Sequence, residues 1–151
     1  MGIVQALAER IVTAAAEEDS PLFVAMCGWA DTGKSTLAAK LCSVIKSKNV
    51  EADWISTDVF LQNRADRNRL GISGYNPSSI DAIELSVAVN RLAALHEYIY
   101  HPYDNRVGGK VLSSKQIAPH SIIVIEGIHA FHEAIWRHCR LRIFIVQMRE
   151  H

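Results

Sequence analysis

One stretch near the amino terminus constrains the fold more than any other feature of this sequence. Residues 23–41 read FVAMCGWADTGKSTLAAKL, in which two glycines with four residues between them are followed by a lysine and a serine. Apolar or small residues precede the first glycine, and apolar residues at helical spacing follow the serine. A buried strand, a glycine-containing turn and an amphipathic helix in direct succession indicate an α/β fold.

The turn matches the pattern G-x-x-x-x-G-K-S, which is a phosphate-binding loop, or P-loop, when it lies between a strand and a helix. Its backbone N–H groups can point at phosphate oxygens, and the positive end of the following helix adds to the attraction. Lysine can reach the β- and γ-phosphates, and the serine hydroxyl can ligate magnesium. The sequence therefore predicts a nucleoside triphosphate site formed by Gly28, Trp29, Ala30, Asp31, Thr32, Gly33, Lys34, Ser35 and Thr36.

Two residues inside this loop are unusual for a phosphate site, where small residues are the rule. Asp31 would be repelled by a triphosphate, so we expect its side chain to point outward. Trp29 is expected to pack against a base or a neighbouring loop. The alternative interpretation of the loop, a glycine turn with an incidental lysine, is disfavoured by the strand and helix patterns on either side.

The rest of the chain alternates between short apolar runs and helical patterns. Residues 21–27, 51–57, 121–127 and 141–147 are typical of buried parallel strands. Helices are predicted in the first twenty residues, at 33–48 and at 79–95, where Ile83, Val87 and Leu92 mark the apolar side. This alternation predicts a parallel sheet with helices on both faces. Residues 62–77 and 101–116 are predicted to be polar loops that carry binding groups, the second with a small hairpin.

Two carboxylates follow predicted strands. Asp58 comes after the strand at 51–57, and Glu126 lies at the end of the strand at 121–127. Ligands gather at the carboxyl ends of the strands in open parallel sheets. Two carboxylates beside a P-loop suit phosphoryl transfer, one accepting the proton of the attacking hydroxyl and the other holding the hydration shell of magnesium. The alternatives are a helix cap for Asp58 and a solvated strand end for Glu126.

Composition excludes several classes of function. The 151 residues contain 16 Lys plus Arg and 16 Asp plus Glu, so no basic surplus indicates a nucleic-acid partner. No apolar run reaches the roughly 18 residues that a membrane span requires. Three cysteines without C-x-x-C spacing and without a secretory leader favour reduced thiols and a cytoplasmic location. Neither N-K-x-D nor a D-x-x-G after the P-loop is present, which argues against a regulatory GTPase.

Several segments together resemble the uridine kinase and phosphoribulokinase family of P-loop kinases. They are GWADTGKST, ISTDVF at 55–60, YD at 103–104 and VIEGIHAF at 124–131, and the resemblance extends from about residue 21 to residue 147. It implies a three-layer fold with a five-stranded, mostly parallel sheet in the order 2-3-1-4-5. The fifth strand would have to come from residues 95–100, which are the weakest of the strand candidates and for which a helix end is the alternative.

The resemblance also implies roles for the site residues. ATP and Mg²⁺ would be the cofactors, Lys34 and Asp58 the catalytic residues, and Asp58 the base that activates the acceptor hydroxyl. Ser35, Glu126 and Asp58 would be the residues near the metal. The acceptor site would be bordered by residues of the YD pair, of GYNPSSID at 74–81 and of the segments nearby, which gives Tyr75, Asp81, Tyr103, Asp104, Arg106 and His129.

The match to the family is incomplete on the acceptor side. The family commonly has a histidine a few residues after its YD pair, whereas Asn105, Arg106 and Val107 follow here, and Arg106 is predicted to replace it. His129 and His132 are a weak zinc signal without a cluster of cysteines or carboxylates. Packing, or a polar contact near the acceptor, is the better interpretation of His129.

The leading function is an ATP-dependent kinase that phosphorylates a hydroxyl of a small molecule, most simply a nucleoside such as uridine. Pantothenate and a sugar phosphate are the alternative acceptors. A nucleotide-binding module without useful turnover is the alternative of a different class. Neither a nucleic acid nor a membrane is expected as a partner, and the sequence does not decide the oligomeric state.

The carboxyl end carries a further expectation. In the family, the strand similar to residues 141–147 is followed by an arginine-rich lid helix, whereas this sequence ends four residues later. We therefore expect residues 1–151 to form a single P-loop kinase-like domain that is truncated at the lid. Because a lid excludes water and supplies positive charge, the chain alone is expected to discriminate poorly between ATP and GTP and to phosphorylate acceptors weakly.

Overall fold

The computed structural model of the protein describes residues 2–18, 21–29 and 32–146. Its four helices are α1 (Ile3–Ala15), α2 (Lys34–Ser47), α3 (Arg64–Leu70) and α4 (Ala82–Ala93). Its strands are β1 (Leu22–Gly28), β2 (Ala52–Ser56), β3 (Tyr98–Tyr100), β4 (Tyr103–Asp104), β5 (Gly109–Lys110), β6 (Lys115–Ile117), β7 (Ile122–Glu126) and β8 (Cys139–Ile145). Short 3₁₀ turns cover Thr57–Phe60, Pro77–Ser79 and Trp136–His138.

Four of the strands form the central sheet, in the order β2-β7-β1-β8. β7 pairs in parallel with β1 and β2, and β8 pairs in parallel with the other side of β1. The four predicted strands at 21–27, 51–57, 121–127 and 141–147 are therefore confirmed as elements. The last one begins two residues earlier than predicted and ends at Ile145, and residue 147 lies outside the described residues. Numbered along the chain, the four strands follow the expected order 2-3-1-4.

The described residues contribute no fifth strand to this sheet. Residues 95–100 were wrong as a strand of the central sheet. The alternative, a helix end, is confirmed for their first residues, which complete the end of α4. Leu95 adopts a left-handed backbone with φ 65°, which ends the helix. The last three residues of this segment form β3, which pairs antiparallel with β6 in a separate two-stranded sheet.

The central sheet separates two apolar cores, because successive residues of a strand face opposite sides. Phe23, Ala25 and Cys27 of β1 pack on the face that α4 covers. Leu22 and Val24 pack on the other face, which α1 and α2 cover, together with Met26. The three-layer arrangement with helices on both faces is thus confirmed. No helix among the described residues combines the length and the apolar character needed to cross a membrane.

Helix α4 buries a different side from the one predicted. Ile83 is 78% exposed and Val87 is also exposed, whereas Leu92 is buried. Nine residues correspond to two and a half helical turns, so Ile83 and Leu92 lie on opposite faces of one helix. The buried stripe has the regular three- and four-residue spacing of Leu85, Ala88, Val89 and Leu92.

The two polar loops fold against each other. The first contains α3, and the second contains the hairpin of β4 and β5, in which Tyr103 lies opposite Lys110. The hairpin predicted in residues 101–116 is therefore confirmed. The N–H of Arg64 donates to the carbonyl oxygen of Gly108 over 2.8 Å, which joins the start of α3 to the hairpin.

Candidate functional site

The P-loop lies between the end of β1 and the start of α2. Gly33 has a left-handed backbone with φ 79°, which directs the chain into the helix. At Gly28 an added Cβ would lie 3.1 Å from Thr32 Oγ1 and 3.2 Å from the carbonyl oxygen of Ile145, so only glycine fits comfortably. Ala30 and Asp31 lie outside the described residues, and the outward orientation of Asp31 stays a prediction.

Lys34 and Thr32 are connected to the same carbonyl group of the loop. Lys34 Nζ donates to the carbonyl oxygen of Trp29 over 2.5 Å, and Thr32 Oγ1 donates to that oxygen over 2.8 Å. Trp29 itself is 68% exposed and lies 6.4 Å from the ring of Tyr75, centroid to centroid. Trp29 was expected to pack against a base or a neighbouring loop, and the structure shows it beside Tyr75 of a neighbouring loop.

The first turn of α2 is suited to phosphate groups. It begins at Lys34, Ser35 and Thr36 and contains no acidic residue. The first backbone N–H groups of a helix lack partners within the helix, and they carry the positive end of its dipole. An anion at this end of α2 would therefore be bound by backbone groups as well as by the Lys34 ammonium group.

The two predicted carboxylates meet beside this turn. Ser35 Oγ donates to Glu126 Oε1 over 2.9 Å, which joins the P-loop helix to the end of β7. Glu126 is only 2% exposed, and burial raises the pKa of its carboxyl group above the ordinary value. The neighbouring Asp58 carboxylate acts in the same direction on that pKa, whereas the Ser35 hydrogen bond acts against it. Glu126 is therefore not a solvated strand end.

Asp58 lies in the 3₁₀ turn that follows β2. The side chain that caps this turn is Ser56, whose Oγ accepts from the N–H of Asp58 over 3.1 Å. Burial raises the pKa of the Asp58 carboxyl group, and the positive charges of Lys34 and Arg67 partly offset this effect. The partly buried Asp58 thus lines the same cavity as the P-loop lysine and an arginine from α3.

These oxygens fit a magnesium ion. A serine hydroxyl and carboxylates are the hard donors that Mg²⁺ prefers, and two neighbouring carboxylates, one buried and one partly buried, would be compensated by a divalent cation. Within the described parts of the chain, no group of three or more His, Cys, Asp or Glu residues is arranged to hold a metal alone. Nucleotide phosphates and water would supply the other ligands, as is usual for Mg²⁺. The pair of His129 and His132 gains no support as a zinc site.

A cavity of about 480 Å³ brings most of these groups together. Its lining combines the P-loop, both carboxylates and residues of the two polar loops, namely Gly33, Lys34, Ser35, Thr36, Asp58, Leu61, Arg67, Gly74, Tyr75, Asn105, Glu126, Gly127 and Ile128. A second cavity of about 460 Å³ shares Ser35 and Asp58 with the first, and its wall includes Trp54, Tyr100 and Tyr103. Asp58 therefore lies where the two cavities adjoin.

The remaining acceptor residues predicted from the sequence are not in either cavity wall. Asp81 caps α4, because its Oδ1 accepts from the N–H of Glu84 over 3.1 Å. Asp104 and Arg106 form an ion pair with each other on the hairpin, with 3.4 Å between Nη2 and Oδ2. The structure thus brings Tyr75 and Tyr103 to the cavities but not Asp81, Asp104 or Arg106, whose contacts to an acceptor remain predictions without support from their positions.

His129 lies behind the cavity wall rather than in it. The side chain is buried, and its Nε2 donates to the carbonyl oxygen of Gly74 over 2.6 Å. Ser79 Oγ, also buried, donates to the same oxygen over 3.1 Å. Two buried side chains therefore fix Gly74, and with it the position of the adjacent Tyr75.

Sequence reasoning missed several residues of the cavity walls, among them Leu61, Arg67, Asn105, Trp54 and Tyr100. Arg67 lies in a segment that was predicted to carry binding groups, but no spacing distinguishes it from Arg64 and Arg69. Only the folding of α3 against the hairpin directs one of the three toward the cavity.

Gly127 gives a prediction about stability. It has a φ of +143°, and an added Cβ would collide with the Oγ1 of Thr57, which is fully buried. Gly127→Ala is therefore expected to lower the free energy of unfolding by about 2–4 kcal/mol, because backbone strain and overpacking add. Urea unfolding followed by circular dichroism measures this change.

Gly71→Ala is the matched control for Gly127→Ala. Gly71 also has a positive φ, +68°, but nothing lies within 4 Å of its added Cβ. Its replacement should cost about 1 kcal/mol, the scale of left-handed strain alone. Equal losses for the two variants would contradict the collision with Thr57.

Comparisons with known proteins agree with this architecture. The family model described as "Phosphoribulokinase / Uridine kinase family" matches residues 23–150. A comparison with curated protein sequences found no significant match.

Solved structures similar to the chain include three kinases or kinase candidates. A proposed fructose transport system kinase from Silicibacter sp. TM1040 has a TM-score of 0.81 at 17% identity, with 95% of this chain and 74% of that chain covered. A candidate uridine kinase from Bacillus stearothermophilus has a TM-score of 0.72 at 19% identity, with coverage of 92% and 80%. The D-glycerate 3-kinase from Cryptococcus neoformans has a TM-score of 0.69 at 16% identity, with coverage of 85% and 53%. At these identities the similarity shows the fold.

Proposed function

This chain belongs to the phosphoribulokinase and uridine kinase family, and we propose that it transfers the γ-phosphate of ATP to a hydroxyl group of a small molecule. The leading acceptor is a nucleoside such as uridine. The observation that carries the proposal is the convergence of Lys34, Asp58 and the Ser35–Glu126 pair on one cavity.

Each of these residues has a defined task in the proposed reaction. Lys34 and the first N–H groups of α2 bind the β- and γ-phosphates, and the Lys34 ammonium group must exchange the carbonyl oxygen of Trp29 for phosphate oxygens. Ser35, Glu126 and Asp58 would hold Mg²⁺, which neutralises charge on the phosphates when bound. Asp58 accepts the proton of the acceptor hydroxyl as that oxygen attacks the γ-phosphorus.

The aromatic residues beside Asp58 favour an acceptor with a flat ring. Tyr75 is 53% exposed at the wall of the first cavity, and Tyr103 and Tyr100 contribute to the wall of the second. Both cavities adjoin at Asp58, so a ribose hydroxyl could reach the base while a nucleobase packs against one of these rings. This arrangement supports a nucleoside over pantothenate or a sugar phosphate.

An acceptor panel tests the proposal. Release of ADP from ATP and Mg²⁺ is measured in a coupled assay, alone and with uridine, cytidine, pantothenate and a series of sugar phosphates. Turnover that depends on a nucleoside supports the proposal in full, and turnover with another acceptor corrects the substrate. Binding of ATP without turnover on any acceptor would select the alternative, a nucleotide-binding module.

A further inference from the structure

Arg67 lies in the cavity that contains the phosphate-binding groups. Its side chain extends from α3 into the wall that also includes Lys34, Asp58 and Glu126. Lys34 belongs to the P-loop, whereas Arg67 comes from the loop region between β2 and α4. Two cationic side chains from different elements therefore border the same space as the proposed base.

The guanidinium group of Arg67 is held in a fixed orientation. Its Nε donates to the carbonyl oxygen of Gln62 over 3.1 Å, and its Nη2 donates to the hydroxyl oxygen of Tyr103 over 2.7 Å. On a third side lies Gly74, where an added Cβ would come within 3.0 Å of Nη1. A donor that is already oriented can stabilise developing charge without reorganising during the reaction.

The charge of Arg67 is not neutralised by a direct ion pair. Among the described residues, no carboxylate lies within the 4.0 Å that defines a salt bridge to its guanidinium group, whereas Arg69 pairs with Asp66 and Arg106 pairs with Asp104. Its two hydrogen-bond partners are neutral oxygens. A partly buried guanidinium with neutral partners is suited to an anion that enters the cavity.

We propose that Arg67 is a catalytic residue that contacts the transferring phosphoryl group. This inference rests on the proposed kinase function. In the step, the bond between the γ-phosphorus and the ADP oxygen breaks while a bond to the acceptor oxygen forms. The acceptor proton passes to Asp58, ADP leaves with the bonding pair, and Arg67 stays protonated while it binds the equatorial oxygens.

Steady-state kinetics on two arginine variants test the role of Arg67. Arg67→Gln removes the charge and keeps a hydrogen-bonding side chain, and it should lower kcat by about 10²–10³-fold, the scale of one preorganised donor. KM for ATP should stay within a few-fold. The matched control is Arg69→Gln. Arg69 lies on the same helix with its side chain exposed to solvent, so this variant should have an unchanged kcat. A raised KM for the acceptor with an unchanged kcat in Arg67→Gln would overturn the proposal, because Arg67 would then bind the acceptor.

Chemical rescue and a second variant exclude a merely structural effect. Guanidinium chloride at low millimolar concentration should restore part of the activity of Arg67→Ala and none of that of Lys34→Ala. Tyr103→Phe removes the hydroxyl that orients Arg67 but leaves its charge, and it should lower kcat by about 10-fold with an unchanged melting temperature. Rescue that fails, together with normal kcat in Tyr103→Phe, would contradict the inference.

A binding measurement separates this inference from the proposed function. Calorimetry compares ADP alone with ADP plus aluminium fluoride and Mg²⁺, a mimic of the transferring phosphoryl group. The wild-type protein should bind the mimic more tightly than ADP, and Arg67→Gln should lose this difference while ADP affinity is retained. If the wild-type protein turns over no acceptor, the kinase proposal fails and the catalytic role of Arg67 fails with it. If Arg67→Gln keeps the preference for the mimic, the role of Arg67 fails alone.

Discussion

Lys34→Ala is expected to abolish phosphoryl transfer and to weaken ATP binding by about 10–100-fold. The estimate follows from the loss of a charge-assisted contact to the β- and γ-phosphates, worth about 1.5–3 kcal/mol, at about 1.4 kcal/mol for each factor of ten. Calorimetric titration with ATP in the presence of Mg²⁺ measures the binding, and the coupled assay with the best acceptor measures the transfer.

Two companion variants make the Lys34 result specific. Lys40→Ala removes an exposed lysine from the same helix and should leave both binding and transfer unchanged. Lys34→Met keeps most of the aliphatic stem but loses the ammonium group, and also its bond to the carbonyl oxygen of Trp29. It should behave like Lys34→Ala. Normal ATP affinity in Lys34→Ala would show that the nucleotide binds elsewhere.

The P-loop and the central sheet could be predicted from the sequence because their signals are local. Four apolar runs are each bounded by turn residues, and a strand buried on both faces reads as a continuous apolar run. Gly28, Gly33, Lys34 and Ser35 lie within eight residues, so their spacing, between a strand pattern and a helix pattern, is enough to predict a phosphate-binding loop. The pairing of Ser35 with Glu126 follows from the parallel register of β1 and β7, which brings the ends of these strands together.

The acceptor side could not be predicted as well, because it depends on contacts between distant residues. The guanidinium group of Arg67 is oriented at the cavity in part by Tyr103, which lies 36 residues later in the chain. Asp81 has the residue type of an acceptor contact, but its carboxylate caps α4 instead. His129 was expected near the acceptor or in packing, and it fixes Gly74 across 55 residues. Hydrophobic periodicity reports on neighbouring residues in a helix or strand, so it carries no signal for contacts between residues this far apart in the chain.

Asp58→Asn is expected to lower turnover by about 10²–10⁴-fold while ATP binding stays almost intact. The amide keeps the size of the carboxylate but accepts no proton from the acceptor hydroxyl. Because burial raises the pKa of Asp58 in the protein without nucleotide or metal, and kcat/KM reports groups of the free enzyme, the wild-type kcat/KM for ATP should fall with decreasing pH at a higher pH than an ordinary aspartate would give. Steady-state kinetics at limiting ATP, recorded as a function of pH, should show this acidic limb in the wild-type protein and not in the variant.

The same pKa shift predicts how Asp58→Asn changes stability. A carboxyl group whose pKa is raised in the folded state binds its proton more tightly there than in the unfolded chain. Its contribution to stability is therefore complete below the unfolded pKa and is lost as the pH rises through the folded pKa. Without nucleotide and Mg²⁺, Asp58→Asn should thus be at least as stable as the wild-type protein at pH 7.5, and its advantage should disappear under acidic conditions.

An Asp58→Asn variant that folds normally, loses ATP binding and keeps the rate of the bound enzyme would assign Asp58 to the metal alone rather than to proton transfer.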